Sequence, residues 1–417
     1  MKKLLLILSL ILFISSGIFA QSTKRALFLG NSYTYYNNLP QMVANVALPL
    51  GDVLEFDSNT PGGYTLEGHS TNATSLAKIE AGNWDYVILQ EQSQRPAFPI
   101  NQVQSQVFPY AAQLDELIHD ANPCAETMFY MTWGRKNGDD SNCDNYPPLC
   151  TYEGMDDLLR ERYTIMAEDN QASVSPVGAV WRYIRTNHPE IELYNPDESH
   201  PSLAGSYAAA CSFYTCIFEK DPSLITSDLG VPAVDAATIR AAAKAMVYDS
   251  LSSWFVGAYD PFANFDFSID ENQVSFLNSS MYASSYSWDF GDDSTSDEPN
   301  PIHEFAENGI YQVSLEAMDC GESSTITLEV EINTVGLAES FHNEIQVFPN
   351  PVRNSLNIRI ENISNIQLID VLGKSIALDF SSNSGLSTVD CSSLDSGIYI
   401  LKVESRGFTY SRKIVVE

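Results

Sequence analysis

Positive charge is the scarcest property of this 417-residue chain: 22 Lys and Arg stand against 54 Asp and Glu, a formal net charge of −32. So acidic a chain is repelled by phosphate backbones and by anionic lipid, which argues against a nucleic-acid partner. Long apolar runs are missing as well, with one exception at the start. Met1-Lys-Lys followed by Leu4 to Phe19 and then Ala20 has the basic start, apolar stretch and small final residue of a secretory signal over residues 1–20, cut to leave Gln21. That run is short for a bilayer span, and no later stretch is apolar enough to supply one, so no stable membrane span is expected. The seven cysteines include no Cys-x-x-Cys pair and no Cys/His cluster at ligand spacing, which leaves no expected metal site.

What the chain does contain is globular material, 44% hydrophobic and 11% aromatic, long enough for two to four domains. From Thr23 to about Trp254, strand-like runs alternate with amphipathic helical stretches. The strands expected are Ala26–Leu29, Val53–Phe56, Tyr86–Gln90, Met128–Trp133 and Ile191–Tyr194, with a further short one near Val174–Val177. Seven helices are expected between and after them, from Leu39–Leu50 to Asp235–Tyr248. Such alternation implies βαβ units, giving an α/β domain over residues 21–256: a parallel five-stranded sheet in a three-layer α/β/α sandwich.

Past Val256 the pattern turns to short alternating runs with Gly, Asp and Ser turns, which imply antiparallel sandwiches. One occupies 262–334, a linker covers 335–343, and a second small β domain spans 344–417. Ser287-Trp-Asp-Phe-Gly-Asp-Asp293, with Asn300-Pro-Ile-His-Glu-Phe305 and Gly309-Ile-Tyr311, resembles a PKD-type immunoglobulin-like module. Phe348-Pro-Asn-Pro351, Gly373-Lys374, Leu394-Asp-Ser-Gly-Ile-Tyr399 and Lys413-Ile-Val-Val416 resemble the C-terminal sorting domain of type IX secretion substrates. That resemblance implies passage through outer-membrane secretion machinery to the medium or the cell surface. Asp289, Asp292, Asp293 and His303 form either a solvated turn or a calcium site, and the spacing favours the turn. Export permits disulfides; Cys143 and Cys150 flank a loop and pair best, while Cys211 and Cys216 read as buried thiols or as partners for Cys124.

Two stretches carry chemistry. In Phe28-Leu-Gly-Asn-Ser-Tyr33, Ser32 sits where a strand hands over to a helix, at the carboxyl edge where open parallel sheets bind ligands. Two roles fit it there: a turn or cap residue, and a nucleophile. In Tyr194-Asn-Pro-Asp-Glu-Ser-His-Pro201, Asp197 precedes His200 by three, a spacing that can bring a carboxylate under Nδ1 and leave Nε2 free as a base.

Together, Gly30-Asn-Ser32 and Asp197-x-x-His200-Pro201 resemble the SGNH (GDSL-type) hydrolase superfamily over roughly Thr23 to Trp254, and this implies a flavodoxin-like fold. The resemblance implies that Ser32 is the nucleophile, His200 the base and Asp197 its partner, with no metal or organic cofactor. It further implies an oxyanion hole from the N–H groups of Ser32 and of Gly63, in Pro61-Gly-Gly-Tyr64. The family's Gly-x-Asn-Asp block is missing, and Gln90-Glu-Gln-Ser-Gln-Arg95 stands in its place. A glutamine amide can donate as asparagine does; Gln92 is favoured, with Gln90 next. Asn31, His69, Trp133 and Arg135 are candidate substrate contacts, although His69 also reads as a loop histidine and Arg135 as an ion-pair partner. The implied activity is hydrolysis of acyl esters, foremost O-acetyl groups on a polysaccharide or glycoconjugate. The alternatives are an inactive surface carbohydrate-binding or adhesin protein and a thioesterase or lysophospholipase.

Overall fold

The computed structural model describes residues 22–333, 345–360, 362–370, 374–378, 380–383, 386–394, 396–405 and 408–416. The expected signal segment and linker lie outside them. Five strands, β1 (Thr23–Leu29), β2 (Val53–Asn59), β3 (Tyr86–Leu89), β4 (Glu126–Tyr130) and β5 (Ser173–Ser175), form one sheet in the order β2-β1-β3-β4-β5. All pairings are parallel. Ala26–Leu29 and Tyr86–Leu89 are buried throughout, as expected of strands covered on both faces by helices.

Helices Leu39–Ala47, Val177–Asn187, Leu203–Phe218 and Ala233–Met246 pack together as one group, and Ala73–Glu80, Phe108–Ala121 and Tyr152–Asp169 as another. The sheet lies between them, so the expected three-layer α/β/α sandwich is the observed architecture. Its fifth strand needs a correction. Ile191–Tyr194 does not join the sheet; the position belongs to Ser173–Ser175, while Tyr194 makes only an isolated bridge to Pro201. The apolar character of Ile191–Tyr194 comes instead from packing in the core beside Trp181.

Leu203–Phe218 is the most buried helix, with every residue from Gly205 onward covered. Gly205 is required by space: a Cβ there would collide with Leu193 O and approach the Trp181 ring to 2.5 Å. In this sheet order the strand sequence reverses between β1 and β3, and the carboxyl ends of those two strands open the crevice where such folds bind ligands. Ser32 follows β1, and Gln90 follows β3.

Residues 265–332 form a three-stranded and a four-stranded antiparallel sheet around fully buried Trp288, whose Nε1–H donates to Glu298 O at 3.0 Å. Two further four-stranded sheets enclose Leu356, Ile358, Leu368, Val389, Leu401 and Ile414. Asp292 is paired with His303 at 2.7 Å, and it and Asp289 accept turn N–H groups, as a solvated turn requires. Cys143 and Cys150 are bonded. Cys124 is bonded to Cys320 and not to a helix thiol. Its partner lies at the tip of an antiparallel hairpin 196 residues on, a distance local spacing cannot reveal. Cys211 and Cys216 are buried free thiols, and burial pushes the Cys211 thiol up to about 12. Among the described residues no helix is long and apolar enough to cross a membrane.

Candidate active site

The turn after β1 is held from below. Gly30 N–H donates to Asn59 O at 3.2 Å, and a Cβ at Gly30 would collide with Thr34 Oγ1 and come within 2.7 Å of Gln90 Oε1. Only glycine fits so close an approach. Asn31 caps the helical turn Ser32–Tyr35 through Oδ1 to Tyr33 N–H, the arrangement asparagine favours at such starts. Its Nδ2 donates to Tyr64 O at 2.9 Å and its N–H to Gln90 Oε1 at 2.9 Å. Asn31 is therefore buried in three bonds that knot the loops together, and it does not face substrate as expected.

Ser32 Oγ lies 2.8 Å from His200 Nε2, and His200 Nδ1 lies 2.6 Å from Asp197 Oδ2. The other carboxylate oxygen of Asp197 accepts the N–H groups of Ser199 (3.1 Å) and His200 (2.9 Å). Partial burial raises the Asp197 carboxyl, but these hydrogen bonds outweigh it and hold the group below its ordinary range. The loop doubles back because Asn195 N–H donates to His200 O at 2.8 Å and Glu198 takes a left-handed φ of 60°. A carboxylate only accepts, so Nδ1 carries the ring proton and the Nε2 lone pair faces the serine hydroxyl. Such a line can take a proton from Ser32 as its oxygen attacks an electrophile.

Two tyrosines that the sequence reading passed over complete this side. Tyr36 stacks on the His200 ring with centroids 4.3 Å apart at 17°. Tyr33 stacks on Trp133 (4.8 Å, 5°), which stacks in turn on Trp181 (3.7 Å, 7°). Tyr33 OH meets Ser199 Oγ at 2.7 Å, and Trp133 Nε1–H donates to Ser199 O at 3.1 Å. Trp133 is fully buried, so it braces the histidine loop and does not contact substrate as expected. The signal for the tyrosines was the run Tyr33-Thr-Tyr-Tyr36 beside the serine.

On the opposite side, Gly63 is exposed with φ +68°, a backbone conformation that favours glycine. The bond from Asn31 to Tyr64 O ties its loop to the serine turn. Gln90 is corrected as an oxyanion donor. Its Oε1 accepts from Asn31 N–H and Thr34 Oγ1–H, its amide nitrogen donates to Glu91 O, and it is fully buried. It is spent on holding the serine turn. Gln92 Oε1 accepts the N–H groups of Gln94 and Arg95, and Nε2 donates to Gln94 Oε1 at 3.0 Å. Buried Glu91 clasps the two loops: Oε2 accepts Leu66 N–H at 3.1 Å and Oε1 accepts Gln92 N–H at 2.6 Å. Burial pushes its carboxyl up to about 7. Arg135 pairs with buried Asp139 at 3.2 Å, as an ion-pair partner would.

His69 is corrected too, since it neither lines the cleft nor lies on the surface. It is fully buried, with Nε2 2.9 Å from Gly30 O and Nδ1 2.7 Å from Ser75 Oγ. The carbonyl only accepts, so Nε2–H donates to Gly30 and Nδ1 accepts from Ser75. Burial lowers its pKa from 6.5 to about 4. Between those values the unfolded chain binds a proton that the native state refuses, so stability rises with pH across that window and is lost as pH falls through it. The full term is on the order of 3 kcal/mol. Urea denaturation at pH 4.5 and pH 7 is expected to show a smaller pH difference for His69→Gln than for wild type; equal differences would refute the assignment.

The comparisons with known proteins fall on different parts of the chain. Residues 264–333 match the PKD domain. Residues 346–417 match the secretion system C-terminal sorting domain. No curated protein matches the chain. Among solved structures, the chain is similar to a DUF4886 family protein from Bacteroides uniformis, at 17% identity and TM-score 0.48, covering 55% of this chain and 95% of that one. It is similar to a candidate SGNH hydrolase from Slackia heliotrinireducens, at 28% identity and TM-score 0.39, covering 46% and 98%. The PKD region is similar to the PKD1 domain of Vibrio anguillarum Epp, at 35% identity and TM-score 0.17, covering 18% and 93%.

Proposed function

We propose that this chain is an exported serine ester hydrolase of the SGNH type. The observation that carries the reading is the unbroken hydrogen-bond line from Ser32 Oγ through the His200 ring to Asp197. In this reading Ser32 Oγ attacks the acyl carbonyl carbon while His200 Nε2 takes the hydroxyl proton. Asp197 keeps the ring oriented and balances the imidazolium charge. The negative charge that develops on the carbonyl oxygen is met by the N–H groups of Ser32 and Gly63 and by the Gln92 amide. His200 returns its proton to the departing alkoxide oxygen, leaving an acyl ester on Ser32. Water, deprotonated by His200, then attacks that ester, and His200 hands the proton to the departing Ser32 oxygen as the acid is released.

The favoured substrate class is O-acetyl esters on a polysaccharide or glycoconjugate. The sorting-domain match supports this reading, since an exported, surface-directed enzyme would meet such substrates. The sorting-domain match also supports a type IX route across the outer membrane.

A fluorophosphonate probe tests the mechanism, with the adduct mapped by peptide mass spectrometry. A single adduct on Ser32 is expected. An unlabelled chain would overturn the reading in favour of an inactive binding protein, and an adduct elsewhere would overturn Ser32 as the nucleophile. Hydrolysis of p-nitrophenyl esters from acetate to palmitate tests the substrate class. The acetate is expected to be the fastest, and a maximum at long acyl chains would favour the lysophospholipase alternative.

A further inference from the structure

Gln92 can serve an oxyanion only if its amide nitrogen, and not its carbonyl oxygen, is turned to the site. The bonds that fix this orientation run to Gln94 and Asp139. Gln92 Nε2 donates to Gln94 Oε1 at 3.0 Å, and Gln94 Nε2 donates to Asp139 Oδ2 at 2.6 Å. Asp139 is fully buried; the same oxygen accepts Asn142 Nδ2–H at 2.6 Å, and Oδ1 accepts from Arg135 at 3.2 Å. The backbone around it is closed as well. Asp139 N–H donates to Leu149 O at 2.7 Å, its carbonyl accepts the N–H groups of Asn142 and Cys143, and Cys143–Cys150 links the two sides of the loop.

A primary amide has a donor end and an acceptor end, whereas a carboxylate only accepts. Asp139 therefore forces Gln94 to present its NH₂ group, which turns Gln94 Oε1 toward Gln92. Gln92 must answer with its own NH₂ group. The backbone N–H groups of Gln94 and Arg95 fix the same sense by occupying Gln92 Oε1. An amide nitrogen carries two N–H groups, and the bond to Gln94 uses one. We propose that Asp139, acting through Gln94, is a positioning residue that holds the second Gln92 N–H in place for the oxyanion. The proposal rests on the reading of Gln92 as an oxyanion donor.

Preorganised donors lose effect when their support loosens, and small misplacements cost up to about a hundredfold. An asparagine at 139 has a donor end of its own, which allows the Gln94 amide to flip and withdraws the acceptor that holds Gln92 Nε2. The test is a double-mutant cycle on p-nitrophenyl acetate. Gln92→Ala is expected to lower kcat about 10²-fold. Asp139→Asn and Gln94→Ala are each expected to lower kcat about tenfold with KM within about twofold, and to add less than about twofold in the Gln92→Ala background. Gln94→Ala leaves the Asp139–Arg135 pair intact, so it decides the matter if Asp139→Asn fails to fold. Losses of equal size in both backgrounds, or none in either, would overturn the relay while leaving Gln92 as donor. A neutral Gln92→Ala would instead overturn the oxyanion reading beneath it, and the relay with it.

Discussion

Asp197→Asn is expected to lower kcat for p-nitrophenyl acetate by about 10⁴-fold with the fold intact, the scale seen when a triad carboxylate is replaced by its amide. The geometry gives the reason. One oxygen of Asp197 is committed to the backbone N–H groups of Ser199 and His200, and the other faces His200 Nδ1 at 2.6 Å. An asparagine must keep its oxygen on the two N–H groups, because an NH₂ group there would meet two donors. Its nitrogen then faces the ring, so Nδ1 must accept and the proton moves to Nε2. The histidine would present an N–H to Ser32, where a base is needed.

The substitution removes the charge and keeps the shape, so a mere structural role predicts little change in rate. Two measurements separate these outcomes: kcat, and the tautomer of His200 by ¹⁵N NMR. A loss smaller than about tenfold, or an unchanged tautomer, would remove Asp197 from the proposed mechanism. Ser32→Ala gives no such discrimination, since it abolishes attack whatever holds the ring.

The contact between Asp197 and His200 could be read in advance because the two lie close in sequence. Asp197 and His200 are three residues apart in one turn, so a single loop conformation sets their contact. Ser32 was visible as the residue between an apolar strand and a helix-like run. Gln90, Trp133 and His69 were misplaced for a shared reason: each has its partners on another element. Gln90 faces the Asn31–Thr34 turn, Trp133 faces Tyr33 and Trp181, and His69 faces Gly30 and Ser75. A polar or aromatic residue at the carboxyl edge of the sheet looks the same from sequence whether it turns toward the crevice or beneath it. Ile191–Tyr194 failed similarly, since apolar content alone does not separate a sheet strand from an extended segment packed on the core. Glu91 and Asp139 passed unnoticed because an acidic residue is expected to be solvated. Burial among donors, which only the fold supplies, makes them structural.

Trp133→Ala is expected to destabilise the α/β domain by about 3–5 kcal/mol, the usual cost of emptying a buried aromatic site. That is a large share of the roughly 5–15 kcal/mol that holds a domain together. Trp133 has no exposed surface and lies between Tyr33 and Trp181, so no neighbour can close the gap without leaving its own stack. The loss also reaches the site. Trp133 Nε1–H holds Ser199 O, and Tyr33 OH holds the Ser199 side chain, between Asp197 and His200. Trp133→Phe keeps an aromatic ring in the stack but removes the N–H together with part of the indole volume. Its stability cost is expected to be about 1–3 kcal/mol, the range for a buried acceptor left unpaired. Its kcat is expected to fall because the Asp197–His200 loop has lost an anchor. Urea denaturation followed by far-UV circular dichroism gives the first quantity, and p-nitrophenyl acetate turnover by the folded variant gives the second. A Trp133→Ala cost below about 1 kcal/mol would contradict the packing, and wild-type turnover in folded Trp133→Phe would show that the loop holds His200 without the tryptophan. The stack therefore has two jobs, filling the core behind the serine turn and fixing the loop that carries His200.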